Sequence, residues 1–127
     1  MKILIVDDSP AIRRDFVALL EGYRELTLIE ADNGQNGLKA LKENPDTSLI
    51  ISDVQMPIMD GLEFVEKVKS NDETKEIPVV FYTTQMSPKL TRKARDIGVS
   101  MYLPKPFSDK QTMISIIERV LSIELNK

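Results

Sequence analysis

Asp7 and Asp8 stand side by side where the apolar run ILIV ends, Asp53 follows LIIS, Thr83 and Thr84 close VVFYTT, and Lys105 lies between two prolines after MYL. A fold that gathers the ends of these runs would gather three carboxylates, two hydroxyls and an ammonium. Taken alone, Asp7-Asp8 would also suit a surface turn, because Asp is a common turn and cap residue. Taken together, carboxylates within a few ångströms raise one another's pKa unless a cation sits among them. Every candidate ligand is an oxygen, which selects a hard divalent cation over zinc. Mg²⁺ is the expected ion, with Mn²⁺ as the alternative. Mg²⁺ keeps several waters and is held by one or two carboxylates together with phosphate oxygens. Lys105 as a point charge and the threonine hydroxyls as donors would complete a pocket for a phosphoryl group.

Composition removes most competing chemistries. The 127 residues fit one domain with a real core. There is no Cys and no His, which excludes thiolate chemistry, cysteine metal sites, disulfides and a Ser-His-Asp arrangement. Lys plus Arg number 17 against 20 Asp plus Glu, a net charge of −3, so there is no general attraction to nucleic acid or anionic membrane. The first residues suit neither a signal peptide nor a membrane span. The expectation is a cytoplasmic protein with no nucleic-acid and no membrane partner.

The elements that must position these groups follow from punctuation and period. Short apolar runs at residues 3–6, 26–30, 49–52, 79–82 and 101–103 read as strands. Helices read after Ser9-Pro10 (Ile12, Phe16, Leu19, Leu20), after Asn33-Gly34 (Leu38, Leu41) and after Asp60-Gly61 (Leu62, Val65, Val68). A fourth runs from Ser87-Pro88 to Gly98, and a fifth opens with the capping-box pattern Ser108-x-x-Gln111. Strand and helix alternate five times, which implies a parallel sheet covered on both faces, because parallel strands need crossover helices. In such doubly wound α/β sheets, ligands bind beyond the carboxyl ends of the strands, where the candidate residues lie.

VDDS, SDVQMPIMDG, YTTQ and PKPF, in this order and at these separations, resemble the receiver domain of two-component response regulators, the CheY-like family. The resemblance spans essentially the whole chain and reads residues 1–127 as one receiver domain. It implies a flavodoxin-like (βα)5 fold with the strand order 2-1-3-4-5 that CheY itself has. It makes Asp53 the phosphoacceptor, and Asp7, Asp8, Asp53 and the backbone carbonyl of Gln55 the holders of Mg²⁺. Thr83, Thr84 and Lys105 would contact the phosphoryl group, Thr83 and Tyr102 would form the switch, and Lys105-Pro106 would be cis. The donor would be a phosphohistidine on a sensor histidine kinase or a histidine phosphotransfer protein. The chain is then no enzyme but a phosphoacceptor signalling protein that assists its own phosphorylation and dephosphorylation.

The resemblance further implies a chemotaxis-like single-domain effector, a monomer or a dimer when phosphorylated. Its protein target would bind the fourth helix, fifth strand and fifth helix, on the face of Lys89, Arg92, Lys93 and Tyr102. A phosphorelay shuttle, or a receiver cut from a longer protein with an output domain, is the alternative. Asp60 reads as a helix cap rather than a ligand. Arg13 and Arg14 read as a solvated helix face, with kinase docking as the family's alternative. Two other classes fit less well. A flavodoxin-type flavin site needs a Ser/Thr/Gly-rich phosphate loop where Asp7-Asp8 stands, and a haloacid-dehalogenase-type phosphatase needs an acid where Gln55 stands.

Overall fold

The computed structural model describes residues 1–99, 101–107 and 109–126. Among the described residues, ten elements alternate: β1 (Lys2–Val6), α1 (Pro10–Leu20), β2 (Thr27–Ala31), α2 (Gly34–Glu43), β3 (Thr47–Ser52), α3 (Gly61–Lys69), β4 (Val79–Thr83), α4 (Pro88–Asp96), β5 (Met101–Pro104) and α5 (Lys110–Leu121). All strand pairs are parallel. The order across the sheet is β2-β1-β3-β4-β5, a doubly wound fold.

The two-residue period of the strands sorts their side chains onto two cores. Ile3, Ile5, Leu49, Ile51, Val80 and Tyr82 face Phe16, Leu19 and Leu20 of α1 and Met113, Ile114 and Ile117 of α5. Leu4, Val6, Ile50, Val79 and Phe81 face Leu41 of α2, Phe64, Val65 and Val68 of α3, and Ala94 of α4. Because the central strands are buried on both faces, they read as continuous apolar runs rather than as alternation.

The caps at Ser9, Asn33, Asp60 and Ser87 are all made. Each side chain accepts the N–H three residues on, from Ile12, Asn36, Glu63 and Leu90 respectively. Ser108 lies outside the described residues; Asp109 caps α5, its carboxylate accepting from the Gln111 N–H at 3.0 Å. The second strand is shifted by one residue from the expected 26–30. Leu26 closes a turn onto the Tyr23 carbonyl, and pairing with β1 begins at Thr27. Gly98 ends the α4 turn at φ 99°, a conformation that glycine adopts without a side-chain clash. The α4 helix is thinly anchored, with Ala94 its one fully buried residue, whereas α3 buries Gly61, Phe64, Val65 and Val68.

Candidate functional site

Register creates the site. Val6 pairs with Ser52 across β1 and β3, so the next residues, Asp7 and Asp53, leave the sheet side by side. The Asp53 N–H donates to the Val6 carbonyl at 2.8 Å and locks that relation. Asp8 follows Asp7 at the surface, and one carboxylate oxygen from each of Asp7, Asp8 and Asp53 lies within 4.8 Å of the others. Asp7 and Asp53 are buried and Asp8 is exposed, which gives an acidic pocket with two fixed walls and one open one.

From the opposite side, Thr83 pairs with Pro104, and the Lys105 N–H donates to the Thr83 carbonyl at 3.0 Å. The Lys105-Pro106 peptide is cis. The Lys105 ammonium donates to Asp7 Oδ2 at 2.8 Å and to Asp53 Oδ2 at 3.0 Å, and it lies 5.7 Å from the centre of the Tyr82 ring. The other oxygens are held too, Asp7 Oδ1 by the Ser9 N–H at 2.9 Å and Asp53 Oδ1 by the Val54 N–H at 2.7 Å. Lys105 is thus the internal counter-ion of the two buried carboxylates.

The electrostatics follow from this sharing. Burial pushes the Asp53 carboxyl up from its ordinary value; Lys105 opposes the shift, while the neighbouring Asp7 charge adds to it. Burial disfavours the charge on Lys105, but its bonds to Asp7 and Asp53 outweigh that and raise its pKa. The two directions agree with one cation serving two carboxylates. Lys105 is fully compensated, and Asp53 retains a net unfavourable charge that a further cation would relieve.

Thr83 is buried, and its hydroxyl makes one long contact, 3.5 Å, to the Gln85 carbonyl. Thr84 and the Gln55 side chain are exposed at the rim. Tyr102 is 47% exposed, which removes ordinary core filling as its explanation. Beside it lies a cavity of about 30 Å³ lined by Phe81, Met86, Ala94, Val99 and Met101, room for about one water and far less than a phenol ring needs. The aromatic that fills the core is Tyr82. Its hydroxyl accepts the Phe107 N–H at 2.8 Å, and its ring meets Phe16 edge-on at 5.2 Å.

Two contributors escape a reading of the sequence. Gly61 permits a close backbone approach, because a Cβ there would collide with the Asp53 carbonyl oxygen and lie 2.8 Å from Val54 Cα; the adjacent Asp60 cap was the available signal. Arg13 turns inward rather than presenting a wholly solvated face. It donates to the Asp7 backbone carbonyl and, through Nε, to Glu30 Oε1 at 3.1 Å. Arg14 remains exposed.

A doubly wound parallel sheet with three carboxylates and a lysine at the carboxyl ends of its strands narrows the class of protein, and comparison with known proteins places it. The model of the response regulator receiver domain family matches residues 3–118. The chain is 39% identical over 110 residues to the chemotaxis protein CheY1 of Helicobacter pylori, covering 85% of this chain and 87% of that protein. It superposes on the chemotaxis response regulator CheY4 of Vibrio cholerae with a TM-score of 0.84 at 33% identity, over 94% of this chain and 98% of the other. It superposes likewise on the Mn²⁺-bound form of the response regulator Rcp1 with a TM-score of 0.79 at 28% identity, over 99% of each chain. The chain belongs to the response regulator receiver family and is a CheY-like receiver domain. Receiver domains of this kind are phosphoacceptor signalling proteins that take their phosphoryl group from histidine kinases.

Proposed function

We infer that this receiver accepts a phosphoryl group on Asp53. The supporting observation is a buried carboxylate set between a three-carboxylate cation pocket and the Lys105 ammonium. The oxygen-only donor set fits Mg²⁺ or Mn²⁺, with Asp7, Asp8, Asp53 and the Gln55 carbonyl as its holders. When bound, the ion offsets the repulsion between the carboxylate and the incoming phosphoryl group.

The chain's own residues do the rest. An Asp53 carboxylate oxygen attacks phosphorus of a phosphohistidine, the P–O bond forms as the P–N bond breaks, and the imidazole departs with a proton from solvent. Lys105 already bonds Asp53, so it needs only a small shift to follow charge onto the phosphoryl oxygens. The Thr83 hydroxyl, held by one long contact, is free to turn toward the new group, with Thr84 at the rim.

Output follows from packing. Thr83 begins the 83–87 loop that leads into the thinly anchored α4, and loosely packed elements are the ones that move at low free-energy cost. The space beside Tyr102 is too small for its ring, so an inward turn requires displacement of Met86 and the loop. The exposed face of Lys89, Arg92, Lys93 and Tyr102 would then bind an acidic protein segment, a chemotaxis-like effector role. The decisive experiment is labelling with acetyl phosphate in Mg²⁺. The wild-type protein should form an acid-stable, base-labile acyl phosphate and Asp53→Asn should not. Persistent Mg²⁺-dependent labelling of Asp53→Asn would overturn the assignment.

A further inference from the structure

Asp8 is the exposed member of the carboxylate trio, and its side chain accepts no hydrogen bond among the described residues. Only the backbone of the 7–9 turn therefore fixes where its Cα–Cβ bond projects. That turn is tied down by the Asp7 N–H on the Ala31 carbonyl, by the Ser9 N–H on Asp7 Oδ1, and by Arg13 on the Asp7 carbonyl. The Asp7 carbonyl belongs to the peptide that joins Asp7 to Asp8, so Arg13 grips the link between two of the carboxylates. Arg13 is itself aimed by Glu30 of β2, and its side chain is only 17% exposed. An arginine fork can hold a carbonyl and a carboxylate at once, which an ammonium cannot do in the same geometry.

We propose that Arg13, oriented by Glu30, is a positioning residue for the divalent-cation site and acts through the Asp7-Asp8 peptide. The inference rests on the cation reading given above. Charge and geometry make opposite demands here, and this makes the idea testable. A cationic side chain near a cation site repels the ion, so on charge alone deleting Arg13 should tighten binding. A residue that holds the ligands in place should loosen binding when deleted, by about 10-fold for partners of this kind.

The test is titration of the metal-free full chain with Mg²⁺, followed by tyrosine fluorescence, and with Mn²⁺, followed by electron paramagnetic resonance. Measurements are made well below each variant's melting temperature. Arg13→Met should weaken both ions about 10-fold. Arg13→Lys, which keeps the charge and loses the fork, should weaken them several-fold as well. Tighter or unchanged binding by Arg13→Met overturns the proposal, including the case in which only its melting temperature falls. Full affinity in Arg13→Lys overturns it too. Asp8→Ala serves as the calibration. If wild type and Asp8→Ala bind alike, the ion is not held by this trio, and the cation reading fails together with the inference. If Asp8→Ala alone loses affinity, the reading stands and the inference falls.

Discussion

Replacing Lys105 with methionine tests whether the metal-free site is held together by its internal counter-ion. The ammonium lies 2.8 Å from Asp7 and 3.0 Å from Asp53. Each contact carries roughly 5 to 6 kcal/mol of gross Coulomb attraction at an effective dielectric near 20. Much of that is returned when a lysine is no longer desolvated, and breaking a buried pair from one side typically costs about 3 to 5 kcal/mol. The rim is open at Asp8, so the lower end applies, about 3 kcal/mol, or a fall in melting temperature of about 10 °C for a domain of this size. The assay is thermal unfolding by circular dichroism in EDTA at pH 7.5. The raised pKa of Lys105 means that its contribution is present below the ordinary lysine value of 10.5 and is lost as pH rises through the higher folded value. The difference between wild type and variant should therefore shrink in strong alkali. It should shrink in acid too, because protonation of Asp53, already favoured by burial, relieves the carboxylates that the variant leaves unpaired. Saturating Mg²⁺ should stabilise the variant more than the wild type, since the ion then supplies the missing positive charge. A variant that melts within about 3 °C of wild type in EDTA, or that gains no more from Mg²⁺, would refute the counter-ion argument.

The remaining predictions concern the switch face and the backbone behind Asp53. Tyr102→Ala should leave labelling of Asp53 intact but reduce the affinity that beryllofluoride-activated protein gains for an acidic target, a gain of roughly 1 to 3 kcal/mol for ordinary allosteric coupling, measured by calorimetry. Lys93→Glu should slow association at low salt, and stopped-flow rates that match wild type would count against steering by the α4 face. Gly61→Ala should destabilise the fold by about 2 kcal/mol, as overpacking against rigid backbone does. The added methyl group would meet the Asp53 carbonyl, which the Ser52 hydroxyl also engages at 2.8 Å. Denaturant midpoints equal to wild type would show that the chain yields there more easily than the contact implies.

The strands, the helices and the acidic rim were legible because each rests on local order along the chain. An apolar run that ends in Asp reads the same whether or not its neighbours are known, and parallel pairing then brings such ends together, as Val6 opposite Ser52 shows. The same locality explains what was hidden. Arg13 and Arg14 are adjacent and chemically alike, and the positions of the Asp7 carbonyl and of Glu30, 17 residues away on the β2 strand beside β1, decide which one turns inward. Ser108 and Asp109 both suit a helix start, and the sequence offers no reason to prefer the second. Ile58 adopts φ 70° while 75% exposed, in a turn with no glycine at that position to announce it. Tyr82 and Tyr102 are both tyrosines near the ends of their strands, yet they have opposite fates. Tyr82 points into the α1–α5 core, where Phe16 and the Phe107 N–H receive it, and its partner in the register, Leu103, points the same way. Tyr102, paired with Phe81, has its ring half outside at the edge strand, where β5 has no further strand neighbour among the described residues. Position in the sheet, rather than residue type, separates the buried tyrosine from the exposed one.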